Sequence, residues 1–159
     1  MEEEKKTGKA VKSVAVRSPY DCMPLLKMYA KKKVEHFGIL CIDADYSVIS
    51  KKVIAIGSER ECHFQPRDVF FEVCRKKATA VIIFHNHPSA TELFPSEDDM
   101  HLTACIQNGM EILGIQLLDH IIIGKDGYFS FAEHKILKDV RKRYKDTERQ
   151  KMVAEGCRK

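Results

Sequence analysis

A chain of 159 residues suits one compact domain and hardly two, and 44% hydrophobic with 31% charged residues is the make-up of a soluble globular protein. No stretch reaches the roughly 18 consecutive apolar residues of a membrane span, and the start, MEEEKKTGKAVK, lacks an apolar secretion segment, so a cytoplasmic location is expected. The net charge of +4 is uneven: residues from Glu133 onward hold ten Lys/Arg against five acids, which leaves the rest of the chain at −1.

Residues 1–12 read as a charged leader, with fraying expected to about residue 17. Asp21 is a candidate cap for a short helix through DCMPLLKMYAKKK, where Pro24 is tolerable only in the first turn. EHFGILCID reads as a strand, DADYS as a turn and VISKKVIAIG as a second strand, which together predict a hairpin. QPRDVFFEVCRKKA puts proline at the first helical position, followed by Val69, Phe70, Val73 and Cys74 at helical spacing. TAVIIF is short and wholly apolar, as a central strand buried on both faces would be.

SEDDMHLTACIQNGMEILG predicts a helix with Ser96 as N-cap, acids in its first turn, and Leu102, Cys105 and Ile106 on its inner face. IQLLDHIIIG and YFSF read as strands joined by a KDG turn. Ile136, Leu137, Val140 and Tyr144 form the apolar stripe of a last helix, which is expected to give way to a solvated end at DTERQK. The sum is a mixed α/β (α+β) domain. Its six cysteines form no CxxC pair, so reduced thiols, buried at Cys41, Cys74 and Cys105, are expected rather than disulfides or a cysteine zinc cage.

The chemistry gathers in VIIFHNHPSATELFPSEDD. Side chains two apart on an extended chain point to one side, so His85 and His87 leave the strand together and their imidazoles can converge. Catalytic zinc often takes three protein ligands plus water. Asp99, aimed by the helix that Ser96 opens, is the third candidate, with Asp98 the competing acid. A polar strand end followed by a capping box, Ser96-x-x-Asp99, accounts for the same letters without a metal. The residues alone leave both readings open, and they do not choose zinc over iron or manganese.

HNHPS, then Pro95-Ser96-x-x-Asp99, LGIQLLDHIIIG and YFSF, with VEHFGILCID and QPRDVF before them, closely resemble the RadC-type proteins of the JAB/MPN (JAMM) metalloprotease-like superfamily, over roughly Ser13 to Phe131. The resemblance implies a JAB/MPN, cytidine-deaminase-like mixed sheet flanked by helices over residues 13–137, and a basic C-terminal helix or tail over 138–159. It implies a zinc ion held by His85, His87 and Asp99, Glu35 as general base, and Ser96 as a helper of the tetrahedral intermediate. The activity implied is zinc-dependent hydrolysis of an amide or isopeptide bond in a peptide or protein substrate. Two departures from the usual pattern stand out: Ala90 replaces the glycine after HNHPS, and the loop to Pro95 is one residue longer. No helix–hairpin–helix region of the kind found in longer RadC proteins is expected here.

Asp119-His120 is expected to be a hydrogen-bonded pair supporting the site from behind. His36, His63, His101 and His134 are expected to be surface or partly buried residues without a metal role. The RadC name also carries a suggested link to DNA repair or recombination, for which the basic tail KILKDVRKRYKDTERQK could track phosphates, although its interspersed acids favour a solvated amphipathic helix. A JAB-fold scaffold that binds metal without cutting is the third expectation.

Overall fold

The computed structural model describes residues 14–57, 64–88 and 93–156; the leader over 1–12, Cys62, His63, Ala90, Cys157 and the side chain of Tyr144 lie outside the described residues. Helix α1 (Pro19–Leu26) runs into a 3₁₀ turn (Lys27–Lys31), and strands β1 (His36–Ile42) and β2 (Val48–Ile56) follow. Next come α2 (Pro66–Arg75), β3 (Ala80–Asn86), α3 (Glu97–Ile112), β4 (Gln116–Ile123), β5 (Tyr128–Ser130) and α4 (Leu137–Gly156).

The strands form one sheet in the order β2-β1-β3-β4-β5. Every neighbouring pair is antiparallel except β3 and β4, which α3 connects in parallel. A mixed sheet with helices on both faces is the architecture that the resemblance implies. The hairpin of β1 and β2 and the central, doubly buried β3 match the sequence expectation, since every residue of β3 is buried. Alternation splits the sheet's side chains between two cores. Leu40, Ile42, Ile82 and Phe84 pack toward α1 with Cys22 and Leu26. Phe37, Ile39, Val81 and Ile83 pack toward α2 and α3 with Val69, Val73, Ile106 and Met110. Gly38 is required between the two central strands, because a Cβ there would stand 2.4 Å from the Phe84 ring and 2.7 Å from the Lys52 carbonyl.

Several local expectations are corrected. Helix α1 begins two residues before Asp21: Ser18 is the N-cap, Pro19 opens the helix, and Asp21 closes a capping box from inside, leaving Pro24 in the helix interior. The chain before it is paired rather than frayed, since Val16 N–H donates to the Tyr46 carbonyl and Val48 N–H to the Val14 carbonyl, each at 2.9 Å. Cys74 is exposed and Cys105 half-buried, while Cys22 and Cys41 are the buried thiols. Burial holds both of these well above an ordinary thiol, Cys22 at about 12 and Cys41 at about 11. The inner face of α3 is Asp99, Thr103, Ala104, Ile106 and Met110; Ile106 stands there as predicted and Leu102 packs partly buried against it, but Cys105 lies to the side. Helix α4 continues through DTERQK, so that stretch is helical rather than disordered.

One irregularity sets the site. Val81 pairs with Leu117 but Ile82 pairs with Asp119, so Leu118 is an extra residue in β4. Such a bulge reverses the in–out phase of everything after it. Leu117 therefore faces α2 and α3, whereas Asp119 and Ile121 face α1, and His120 is turned toward the α3 side.

Candidate metal centre

The parallel ladder carries β3 past its last apolar residue and holds both histidines at the sheet's end. His87 N–H donates to the Ile123 carbonyl at 3.0 Å, which extends that ladder by one rung. The described chain resumes at Leu93 and reaches Ser96, the N-cap of α3. Ser96 Oγ accepts from Asp99 N–H at 3.1 Å and donates to Asp99 Oδ2 at 2.8 Å, while Ser96 N–H donates to the same oxygen at 2.8 Å. This capping box aims the Asp99 carboxylate back at β3.

His85, His87 and Asp99 meet there, one ligand atom from each lying within 4.8 Å of the others. His85 Nε2 stands 2.8 Å from His87 Nε2 and 3.1 Å from Asp99 Oδ1, and His87 Nε2 is 3.6 Å from Asp99 Oδ2. Asp98 is exposed and takes no part in this cluster. Burial would push the Asp99 carboxyl up, but hydrogen bonds from His85 and His87 outweigh it and hold the group well below the usual carboxylate range. Two imidazole nitrogens and an ionised, buried carboxylate converging on one point fit a divalent cation of the zinc, iron or manganese kind.

Glu35 sits half-buried just before β1 and feels the charges of His85, His87 and Asp99. Burial raises its carboxyl above the ordinary value, and the two histidines offset only part of that. Its placement comes from Asn86, the residue between the two histidines, whose significance the sequence reading passed over. The buried Asn86 side chain accepts from His36 N–H at 2.7 Å and donates to the Val34 carbonyl at 3.1 Å, gripping the backbone on either side of Glu35. Gly57 N–H donates to the Glu35 carbonyl at 2.9 Å from the β2 side. A polar letter between two histidines on an alternating strand is the one signal that could have marked it, because such a residue must find partners on the opposite face.

Asp119 and His120 are bonded to each other only through the His120 N–H, and only the His120 side chain backs the site. His120 is fully buried, 2.8 Å from His85 Nδ1 through its Nε2 and 2.6 Å from Thr103 Oγ1 through its Nδ1, with Phe131 stacked on its ring. Complete burial, reinforced by His85, holds it well below the ordinary histidine value. The Asp119 side chain faces away, accepting from Ser130 Oγ at 2.6 Å, the His120 N–H at 2.7 Å and the Ala132 N–H at 2.9 Å. His36 is buried rather than superficial and donates to the Val34 carbonyl at 2.9 Å, while His101 and His134 are exposed. In the basic tail, Arg141 and Lys145 face Glu111 of α3 in ion pairs. Among the described residues, no helix is long and apolar enough to cross a membrane.

A histidine–histidine–aspartate cluster at the end of a mixed α/β sheet, with a raised glutamate beside it, is a group that could hold a metal ion. The chain belongs to the RadC-like JAB domain family, which it matches over residues 16–136. Its relatives include a UPF0758 protein of Streptococcus equi subsp. zooepidemicus, 35% identical over 126 residues that make up 79% of this chain and 56% of that protein. Another UPF0758 protein, from Picosynechococcus sp., is 41% identical over 105 residues, 66% of this chain and 43% of the relative. The chain thus spans about half the length of these curated relatives.

Proposed function

We propose that this chain is a zinc-dependent hydrolase of amide or isopeptide bonds, acting on a peptide or protein substrate. The observation that carries the reading is the convergence of His85, His87 and Asp99 within 4.8 Å, next to a glutamate whose carboxyl is raised by burial. Zinc is the proposed ion because two imidazoles and a carboxylate suit it, iron and manganese being the alternatives that metal analysis separates. A divalent cation held there would polarise a carbonyl and acidify water to near neutral pH. Glu35 is the general base: a carboxyl lifted toward neutrality takes a proton readily and gives it up to the leaving amine. Asn86 keeps that carboxyl's backbone from shifting as the proton moves. Ser96 is the candidate donor to the developing oxyanion, a role that requires its proton to turn away from Asp99 Oδ2.

Metal analysis of the purified protein is expected to find stoichiometric zinc that disappears in His85→Ala and His87→Ala; zinc retained in both would remove the site. Glu35→Gln is expected to keep the metal and abolish hydrolysis of an internally quenched isopeptide library. Cleavage at the parental rate would take Glu35 out of the mechanism.

A further inference from the structure

Two buried polar groups behind the ligands, Thr103 of α3 and His120 of β4, have no part in the chemistry above. They join the cluster through hydrogen bonds whose direction is set at one end. The Asp99 carbonyl can only accept, so the single hydroxyl proton of Thr103 goes to it, at 2.5 Å. Thr103 Oγ1 is then an acceptor toward His120, 2.6 Å away, and the proton between them sits on His120 Nδ1. That leaves a lone pair on His120 Nε2, which accepts the Nδ1 proton of His85 at 2.8 Å. With its Nδ1 proton so engaged, His85 turns Nε2 to the cluster, 3.1 Å from the carboxylate of the same Asp99 where the chain began, and a proton shared there with Asp99 is the one a cation would replace.

We propose that Thr103 and His120 are positioning residues that fix His85 as its Nδ1–H tautomer and so reserve its Nε2 for the cation. The inference rests on the metal-site reading of His85, His87 and Asp99 and adds the device that prepares the buried ligand. The circuit runs from the Asp99 carbonyl through Thr103, His120 and His85 back to the Asp99 carboxylate. It ties three elements, α3, β4 and β3, so that one ligand orients another before any ion arrives. A threonine hydroxyl bonded to the carbonyl one turn back is ordinary in helices. Here the same oxygen is also the only partner that His120 Nδ1 has among the hydrogen bonds described.

The test is zinc affinity, read by competition with a chromophoric chelator, together with the tautomer of His85, read by long-range nitrogen–proton NMR of the metal-free parent protein. Thr103→Val keeps the shape and loses the hydroxyl; it is expected to weaken zinc binding about tenfold, and Thr103→Ser to return it to within about twofold of the parent. The parent spectrum is expected to show the His85 proton on Nδ1. Parental affinity in Thr103→Val overturns the proposal, as does a parent spectrum with the proton on Nε2 alone, which needs no variant to fold. A parent protein that binds no zinc overturns the metal reading and this inference with it, a result separate from the other two.

Discussion

Asp99 and Asp119 are buried to a similar degree, 8% and 4% exposed, on opposite faces of one sheet, and each accepts a hydrogen bond from a serine hydroxyl, Ser96 or Ser130. Their carboxyls are nevertheless driven in opposite directions. Burial lifts Asp119 to about 6, because its partners are a hydroxyl and two backbone N–H groups, all neutral, and they offset only part of the lost hydration. Asp99 suffers the same loss but faces two imidazoles that can carry positive charge, and it stays ionised. Asp119 is a clasp that joins β4 to β5 and the turn beyond. Asp99 is a buried negative charge held open toward one point, an arrangement that makes sense when a cation arrives there.

The strongest way to break this contrast is to neutralise each acid in turn. Asp99→Asn is expected to weaken zinc binding by at least about 100-fold, and Asp119→Asn to leave it within a few-fold, both read by chelator competition. Equal losses in the two variants would erase the distinction. The next effect is on stability. Because the folded Asp119 titrates near 6 against an ordinary 3.8, its contribution is fully present below about pH 4 and is lost as pH rises through 6. Urea unfolding of Asp119→Asn should therefore gain on the parent by up to about 3 kcal/mol between pH 4 and pH 7. A difference that does not change with pH would show that Asp119 is ionised without penalty. The smallest expected effect sharpens the comparison at the serines. Ser96→Ala removes the N-cap of α3 and should cost about 1 kcal/mol in urea unfolding. Ser130→Ala should instead move the Asp119 titration further up, as followed by carboxyl NMR.

Much of this arrangement was written in local sequence. TAVIIF reads most simply as a strand with both faces covered, because a short, continuous apolar run has no face to give to water, and β3 is buried throughout. Ser96-x-x-Asp99 opens α3 through a capping box, and spacing by two sends His85 and His87 to one side of β3. The metal reading and the capping reading, alternatives in the sequence, are the same geometry in the fold: the box that caps α3 is what turns Asp99 toward the histidines. Local signals failed where two signals competed. Asp21 looked like a cap because capping residues are favoured at both ends of the box, and only the bond from Ser18 tells which end is outside the helix. Cys74 fitted an apolar period but lies past the edge of the face that α2 buries.

What the sequence determined by itself is therefore the set of elements, the family frame and the three residues that meet. What only the tertiary structure decided is how they are held. The side to which His120 points depends on the extra residue at Leu118, and a bulge is a property of two strands in register, not of either one read alone. Asn86 grips the Glu35 segment, and Thr103 reaches His120, across 50 and 17 residues of chain. Such bonds form because a buried polar group must find a partner wherever the fold brings one, and a linear pattern does not record who that partner will be.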